Sequence, residues 1–183
     1  APTPVTAFVS VASKAASFAV LMRFFSYVFP ETLVLADQSV QAFWVNLIGL
    51  IAVISMTLGN VLALRQENIK RMLAYSSVTQ VGVLLLALSI STVAGLTAMF
   101  FYMISHGITK ALLFLVGGSS EYYSNRRTLI SMRGLGYLMP LSMTALALGA
   151  FAMVGIPGTS GFIAKFQLAL AFNDANRLAF VAL

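Results

Sequence analysis

Residues 93–118 read VAGLTAMFFYMISHGITKALLFLVGG, an apolar run long enough to cross a bilayer as a helix. The run carries His106 and Lys110, four residues apart and therefore on one helical face. Ionisable side chains at that depth are costly and are a default pointer to function. Lys14 and Lys165 lie in comparably apolar surroundings. Together these groups point to a path for protons or other cations through a membrane bundle.

The composition narrows the class. Sixty per cent of the 183 residues are hydrophobic and 9% are charged, where a soluble domain has about a quarter charged residues. A mean hydropathy of +0.93 agrees. Long apolar runs make the chain an all-α, polytopic transmembrane bundle rather than a barrel. With no cysteine, disulfides and cysteine-ligated clusters or metals are excluded. The net charge of +6 does not indicate nucleic acid, because the basic residues stand at helix ends or singly within apolar runs. Ala1–Val5 has no basic region like that of a signal peptide, and RLAFVAL ends inside an apolar run. The expectation is a piece of a longer membrane protein.

In chain order, the first span is expected over 4–28, with Thr3 as N-cap, Pro4 at the first helical position and Lys14 near the middle. Arg23 can snorkel to the headgroups. A loop over 30–41 holds Glu31 and Asp37. Trp44 is placed as an interfacial anchor for a second span over 43–64. RQENIKR, residues 65–71, is a short loop before a third span over 72–90. A tight turn at Ser91–Thr92 leads to the fourth, 93–118. Arg126, Arg127 and Arg133 mark a polar connection over 119–139.

From 140 to 172 the chain is apolar again. As one straight helix this stretch would be about 50 Å long, against a hydrocarbon core of roughly 30 Å. It contains GIPGTSG at 155–161, and Gly155, Pro157, Gly158 and Gly161 there argue for two half-helices with an unwound link. The alternative is a turn with a second helix returning. Another span starts at 177–183. The 65–71 and 119–139 connections hold six basic residues on one side, while Arg177 alone lies on the other, so the first side is expected to be cytoplasmic or its organellar equivalent.

Lys110 lies about eight residues, or roughly 12 Å, from the basic-side end of its helix. Its stem cannot comfortably bring the amine to water. His106 lies one turn deeper, with hydroxyls of Tyr102, Ser105 and Thr109 nearby. An amine beside an imidazole can exchange protons with it through ordered water. The structural alternative is an ion pair for the lysine and a carbonyl partner for the histidine. Small residues surround Lys14, permitting close helix packing and leaving room for water. Lys165 follows the break, where freed carbonyls and helix ends can meet its amine. None of the five acids lies mid-span, so either some of these amines are neutral or acidic partners come from a missing part or another subunit. No catalytic constellation, metal-ligand spacing or nucleotide loop stands out.

APTPVTAF, SVASKAASF, KRMLAYSSVTQVG, SHGITKALLFLVGG and MVGIPGTSGFIAKF occur in that order. In these segments the chain resembles the antiporter-like, proton-pumping membrane subunits of respiratory complex I, the NADH–quinone oxidoreductase. Relatives of that family are the large subunits of multisubunit sodium/proton antiporters and of membrane-bound hydrogenases. The opening segment is most similar to the N-lettered subunits, and HGITKALLF to the L-lettered and antiporter ones. The resemblance covers essentially the whole chain. It implies most of the second of two inverted repeats in a larger subunit, with a missing first half that carries a glutamate–lysine pair. It also implies that Lys14 is the central-axis lysine, Lys165 the broken-helix lysine near the exit, and His106 with Lys110 a connecting pair. No cofactor is implied on this chain; quinone, NADH, FMN and iron–sulfur clusters belong elsewhere in such a complex. The implied partners are other membrane subunits and the lipid bilayer, in an energy-transducing membrane, most simply the bacterial plasma (inner) membrane. A sodium/proton antiporter or hydrogenase subunit, and a purely structural membrane scaffold, are the alternatives.

Overall fold

The computed structural model describes residues 3–28, 34–35, 38–90, 92–125 and 128–174. Glu31, Asp37, Arg126, Arg127, Arg177 and the span expected at 177–183 lie outside these residues. Among the described residues, four helical segments are long and apolar enough to cross a membrane: Thr3–Phe25, Val40–Leu64, Ile69–Ser89 and Val93–Ser124.

The first segment is not one regular helix. α1 (Thr3–Phe8) passes through a π-helical turn, Val9–Ser13, into α2 (Lys14–Val28). At that turn Ser10 bends its hydroxyl back to the Ala7 carbonyl, 2.8 Å away, competing with the regular backbone ladder. The π turn ends at Lys14, and such bulges are frequent at functional positions.

After α2, β1 (Val34–Leu35) and β2 (Gln38–Ser39) pair antiparallel, so part of the loop expected over 30–41 is a small hairpin. α3 (Val40–Leu64) starts directly from it, and Trp44 sits one turn inside, edge-on to Phe25 at 6.3 Å. α4 (Ile69–Ser89) begins within the charged run expected to be loop. Asn68 makes this start possible: its Oδ1 accepts the backbone N–H of Lys70 at 2.9 Å and of Arg71 at 3.3 Å. α3 and α4 lie close along their length. A Cβ at Gly59 would stand 2.6 Å from the Thr79 hydroxyl, so glycine is what permits the approach.

α5 (Val93–Ser124) runs past the expected end at Gly118. The hydroxyls of Ser119 and Ser120 bond back to the Val116 carbonyl and that of Ser124 to Ser120, and the helix closes only at Asn125, in the left-handed region at φ 50°. The polar residues there are helical because their side chains are satisfied by the helix itself. The end of α5 meets the α3–α4 connection: Lys70 pairs with Glu121 at 2.7 Å, and Leu129 N–H donates to the Glu67 carbonyl at 2.9 Å. The two basic connections therefore share one end of the bundle.

A 3₁₀ turn (Ile130–Met132) and α6 (Leu135–Leu138) lead to α7 (Pro140–Val154) and α8 (Ser160–Asp174). The last two follow end to end along α5 rather than folding back. Gly149 of α7 meets Leu113 and Leu112 of α5, and Ser160 at the start of α8 bonds Ser105. Farther along α8, Ala171 and Phe172 share a core with Ala98 and Met99. Contacts thus retreat along α5 as the chain advances, which is the geometry of one helix broken in two. Gly155 at φ 87° and Gly158 at φ 93°, flanking Pro157, supply the left-handed backbone of the link.

The outer surface is apolar. Phe8, Leu50, Leu58, Ile104, Ile108 and Leu148 are all exposed. Such a surface suits lipid or neighbouring subunits, while the interior seam between α4, α5 and α8 holds polar side chains.

Candidate functional site

α4 is the hub of this seam. Its turn from Leu73 to Ser77 receives two of the four ionisable groups. Lys110, reaching from α5, is fully buried at 0% exposure. Its amine donates to the Leu73 carbonyl and the Ser76 hydroxyl, each at 2.6 Å, and lies 5.7 Å from the centre of the Phe114 ring. Lys14, reaching from α2, comes to the same turn and donates to the Ser77 carbonyl at 3.2 Å. Leu73 and Ser77 are four apart, so the two amines hold successive carbonyls of one row of the α4 ladder. Lys14 also walls an open groove of about 560 Å³, bordered by Val5, Val9, Ser13, Ser77 and Phe114.

One turn before Lys110, the imidazole of His106 stacks parallel to the Tyr102 ring, centroids 6.2 Å apart and planes within 4°. Tyr102 in turn donates its hydroxyl to Gln80 Oε1 on α4. His106 is 8% exposed, and no described residue hydrogen-bonds its buried Nε2. A buried polar nitrogen left in that state is matched by water or by a group beyond these residues. Beside it is a small cavity of about 10 Å³ that Tyr102, Ser105, Thr109 and Lys165 also border. That is close to the space one water needs.

Lys165, in the second turn of α8, reaches back across the break. Its amine donates to the carbonyls of Met153 at 3.0 Å and Val154 at 2.9 Å. These belong to the last turn of α7, whose carbonyls have no helical partner and carry partial negative charge. Ser105 Oγ donates to Ser160 Oγ at 2.9 Å, tying α5 to the start of α8, while Thr109 donates to the Ser105 carbonyl within α5 at 2.9 Å.

The structure thus brings the sequence-selected groups together in two pairs. Lys14 and Lys110 share the α4 turn; His106 and Lys165 share the cavity; Lys110 and His106 share one face of α5. Gly155, Pro157, Gly158 and Gly161 form the break beside Lys165. Among the described residues, no carboxylate lies within salt-bridge distance of Lys14, Lys110 or Lys165. The sequence reading missed the polar side of α4: Ser76, Ser77 and Gln80. The signal was present, since SSVTQ places three hydroxyls and an amide within one apolar helix. It also missed the π turn, which backbone-bonding serine next to small residues only hints at.

Residues 1–183 match the family described as NADH:quinone oxidoreductase/Mrp antiporter, TM. The NADH-quinone oxidoreductase subunit N 2 of Sorangium cellulosum is 44% identical over 177 residues, covering 96% of this chain and 35% of that protein. Subunit N of Trichlorobacter lovleyi is 41% identical over 185 residues, covering 99% of this chain and 35% of its own length. Among solved structures, a chain of the membrane-bound sulfane sulfur reductase, an archaeal respiratory membrane complex, superposes with a TM-score of 0.83 at 33% identity, covering 100% of this chain and 36% of that one. A chain of the Mrp complex from Dietzia sp. DQ12-45-1b also gives 0.83, at 28% identity, covering 99% of this chain and 32% of that one. The chain therefore spans about a third of the length of the relatives it matches.

Proposed function

The chain belongs to the NADH:quinone oxidoreductase/Mrp antiporter transmembrane family, and on that premise we propose that it carries part of a proton path. In this reading it is an antiporter-like subunit of a complex I-type NADH–quinone oxidoreductase. The observation that carries the proposal is the polar seam itself. Lys14, Lys110, His106 and Lys165 follow one another through the bundle interior, joined by the α4 turn at one end and a water-sized cavity at the other.

The chemistry asked of each group is simple. Each amine or imidazole takes a proton from one neighbour and gives it to the next. Carbonyls of α4 and α7 hold the charged amines, and hydroxyls and water fill the gaps. The proton moves without net change in the chain, so the driving energy comes from redox chemistry elsewhere. Quinone, NADH, FMN and iron–sulfur clusters would be held by other subunits. Those subunits and lipid would cover the exposed apolar faces, in a bacterial plasma membrane.

A sodium/proton antiporter is the second reading, favoured by the likeness to a chain of the Mrp complex. The deciding experiment is proton translocation in sealed vesicles bearing the assembled complex of the full-length subunit. Lys14→Ala is expected to abolish or strongly reduce NADH-driven pumping. Wild-type electron transfer and pumping in that variant would defeat the proton-path reading. Sodium-dependent ΔpH with no electron donor would favour the antiporter.

A further inference from the structure

Lys110 presents a particular difficulty as a proton carrier. In its charged form it needs acceptors, and it has two: the Leu73 carbonyl and the Ser76 oxygen, each 2.6 Å away. In its neutral form the nitrogen gains a lone pair and needs a donor. The Leu73 carbonyl can only accept. It is moreover crowded, because Ser76 and Ser77 both direct their hydroxyls to it, each at 3.0 Å. Among the amine's hydrogen-bond partners in the described residues, only the Ser76 side chain carries a hydrogen it can turn.

We propose that Ser76 is a positioning residue for Lys110, holding the amine in both of its protonation states. When Lys110 is charged, Ser76 accepts from the ammonium and gives its own hydrogen to the Leu73 carbonyl. When Lys110 has passed its proton on, the Ser76 hydroxyl rotates off that carbonyl and donates to the amine lone pair. The serine loses no proton; only its hydrogen changes direction. The Leu73 carbonyl keeps the Ser77 hydroxyl through the change, so the exchange leaves no buried acceptor bare. The backbone carbonyl of Ser77, the next residue, holds Lys14, so the same turn sets the spacing between the two amines. Ser76 is half-buried.

This inference rests on the proton-path reading, and the test separates the two. Ser76→Thr and Ser76→Val have the same shape and differ in the hydroxyl. Both are built into the full-length subunit, and pumping is measured per assembled complex, alongside Lys110→Ala. Ser76→Thr is expected to keep at least about half of wild-type pumping, and Ser76→Val to fall about tenfold below it, on the order of one lost hydrogen bond. Equal pumping by the Thr and Val variants, at whatever level, overturns the proposal. If Lys110→Ala pumps as wild type, the proton-path reading of Lys110 fails and this role fails with it. If Lys110→Ala is impaired while Thr and Val agree, only the role of Ser76 is lost.

Discussion

Gly161 stands against the carbonyl of Ala152 so closely that a Cβ at position 161 would overlap the oxygen. The two residues lie on either side of the break, one in α8 and one in α7. The neighbour is backbone, which cannot turn aside as a side chain would. Gly161→Ala is therefore expected to force the half-helices apart, at a cost at or above the ~1–3 kcal/mol of ordinary overpacking. The measurable result is a lower melting temperature and less assembled complex. Gly136→Ala is the matched control: a Cβ there meets nothing within 4 Å, and stability should stay within about 0.5 kcal/mol of wild type. Equal behaviour of the two variants would rule out the tight crossing.

The α4 N-terminus offers a site where stability and transport should separate. Asn68 Oδ1 holds two backbone N–H groups at the start of the helix. Asn68→Ala removes that cap, and a loss of about 1 kcal/mol is expected, with Asn68→Asp nearly neutral. Proton flux per assembled complex should not change, because the cap lies a full turn before Leu73. A flux defect at unchanged stability would mean that the α4 entry takes part in the path.

Among the described residues, the four helices long and apolar enough to cross a membrane were legible because such helices announce themselves by length and hydropathy, and Lys14, His106, Lys110 and Lys165 stood out against that background. Less legible was where helices end. The apolar run ends at Gly118, but α5 continues because its serines bond their own helix and Thr3 packs against Gly118. A charge run suggested loop at 65–71, yet a single asparagine starts α4 within it. The partners of the lysines were least legible of all. Lys110 finds Leu73 and Ser76, 37 and 34 residues away, and backbone carbonyls leave no mark in a sequence.

Lys110 allows the scaffold reading to be tested directly. Among the described residues it has no carboxylate partner, only a carbonyl, a hydroxyl and a ring. Taking a charge with no opposite partner out of water is costly, so an apolar side chain of similar length in its place removes that cost. Lys110→Met is thus expected to assemble normally, with a melting temperature at or above wild type, yet to lose coupled proton flux. A lysine kept only for structure would give the opposite pattern: impaired assembly, with unchanged flux in whatever complex forms.

Lys165 should show both roles at once, and two substitutions can divide them. Its amine caps the Met153 and Val154 carbonyls, joining α8 to the end of α7, while its stem packs 3.1 Å from where a Gly155 Cβ would be. Lys165→Met keeps the stem and removes the donor, so the α7 end loses its cap. Lys165→Gln keeps an N–H₂ that can reach one carbonyl but carries no transferable proton. Because Val154 is exposed, the cap is only partly sheltered, and its loss should cost about 1 kcal/mol, the net value of an ordinary hydrogen bond. Melting of the assembled complex should fall for the Met variant and recover in part for Gln. Proton flux should be lost in both, since neither can carry the charge. If Gln restores flux together with stability, the amine of Lys165 serves the break alone, and the path leaves the cavity beside His106 by another route.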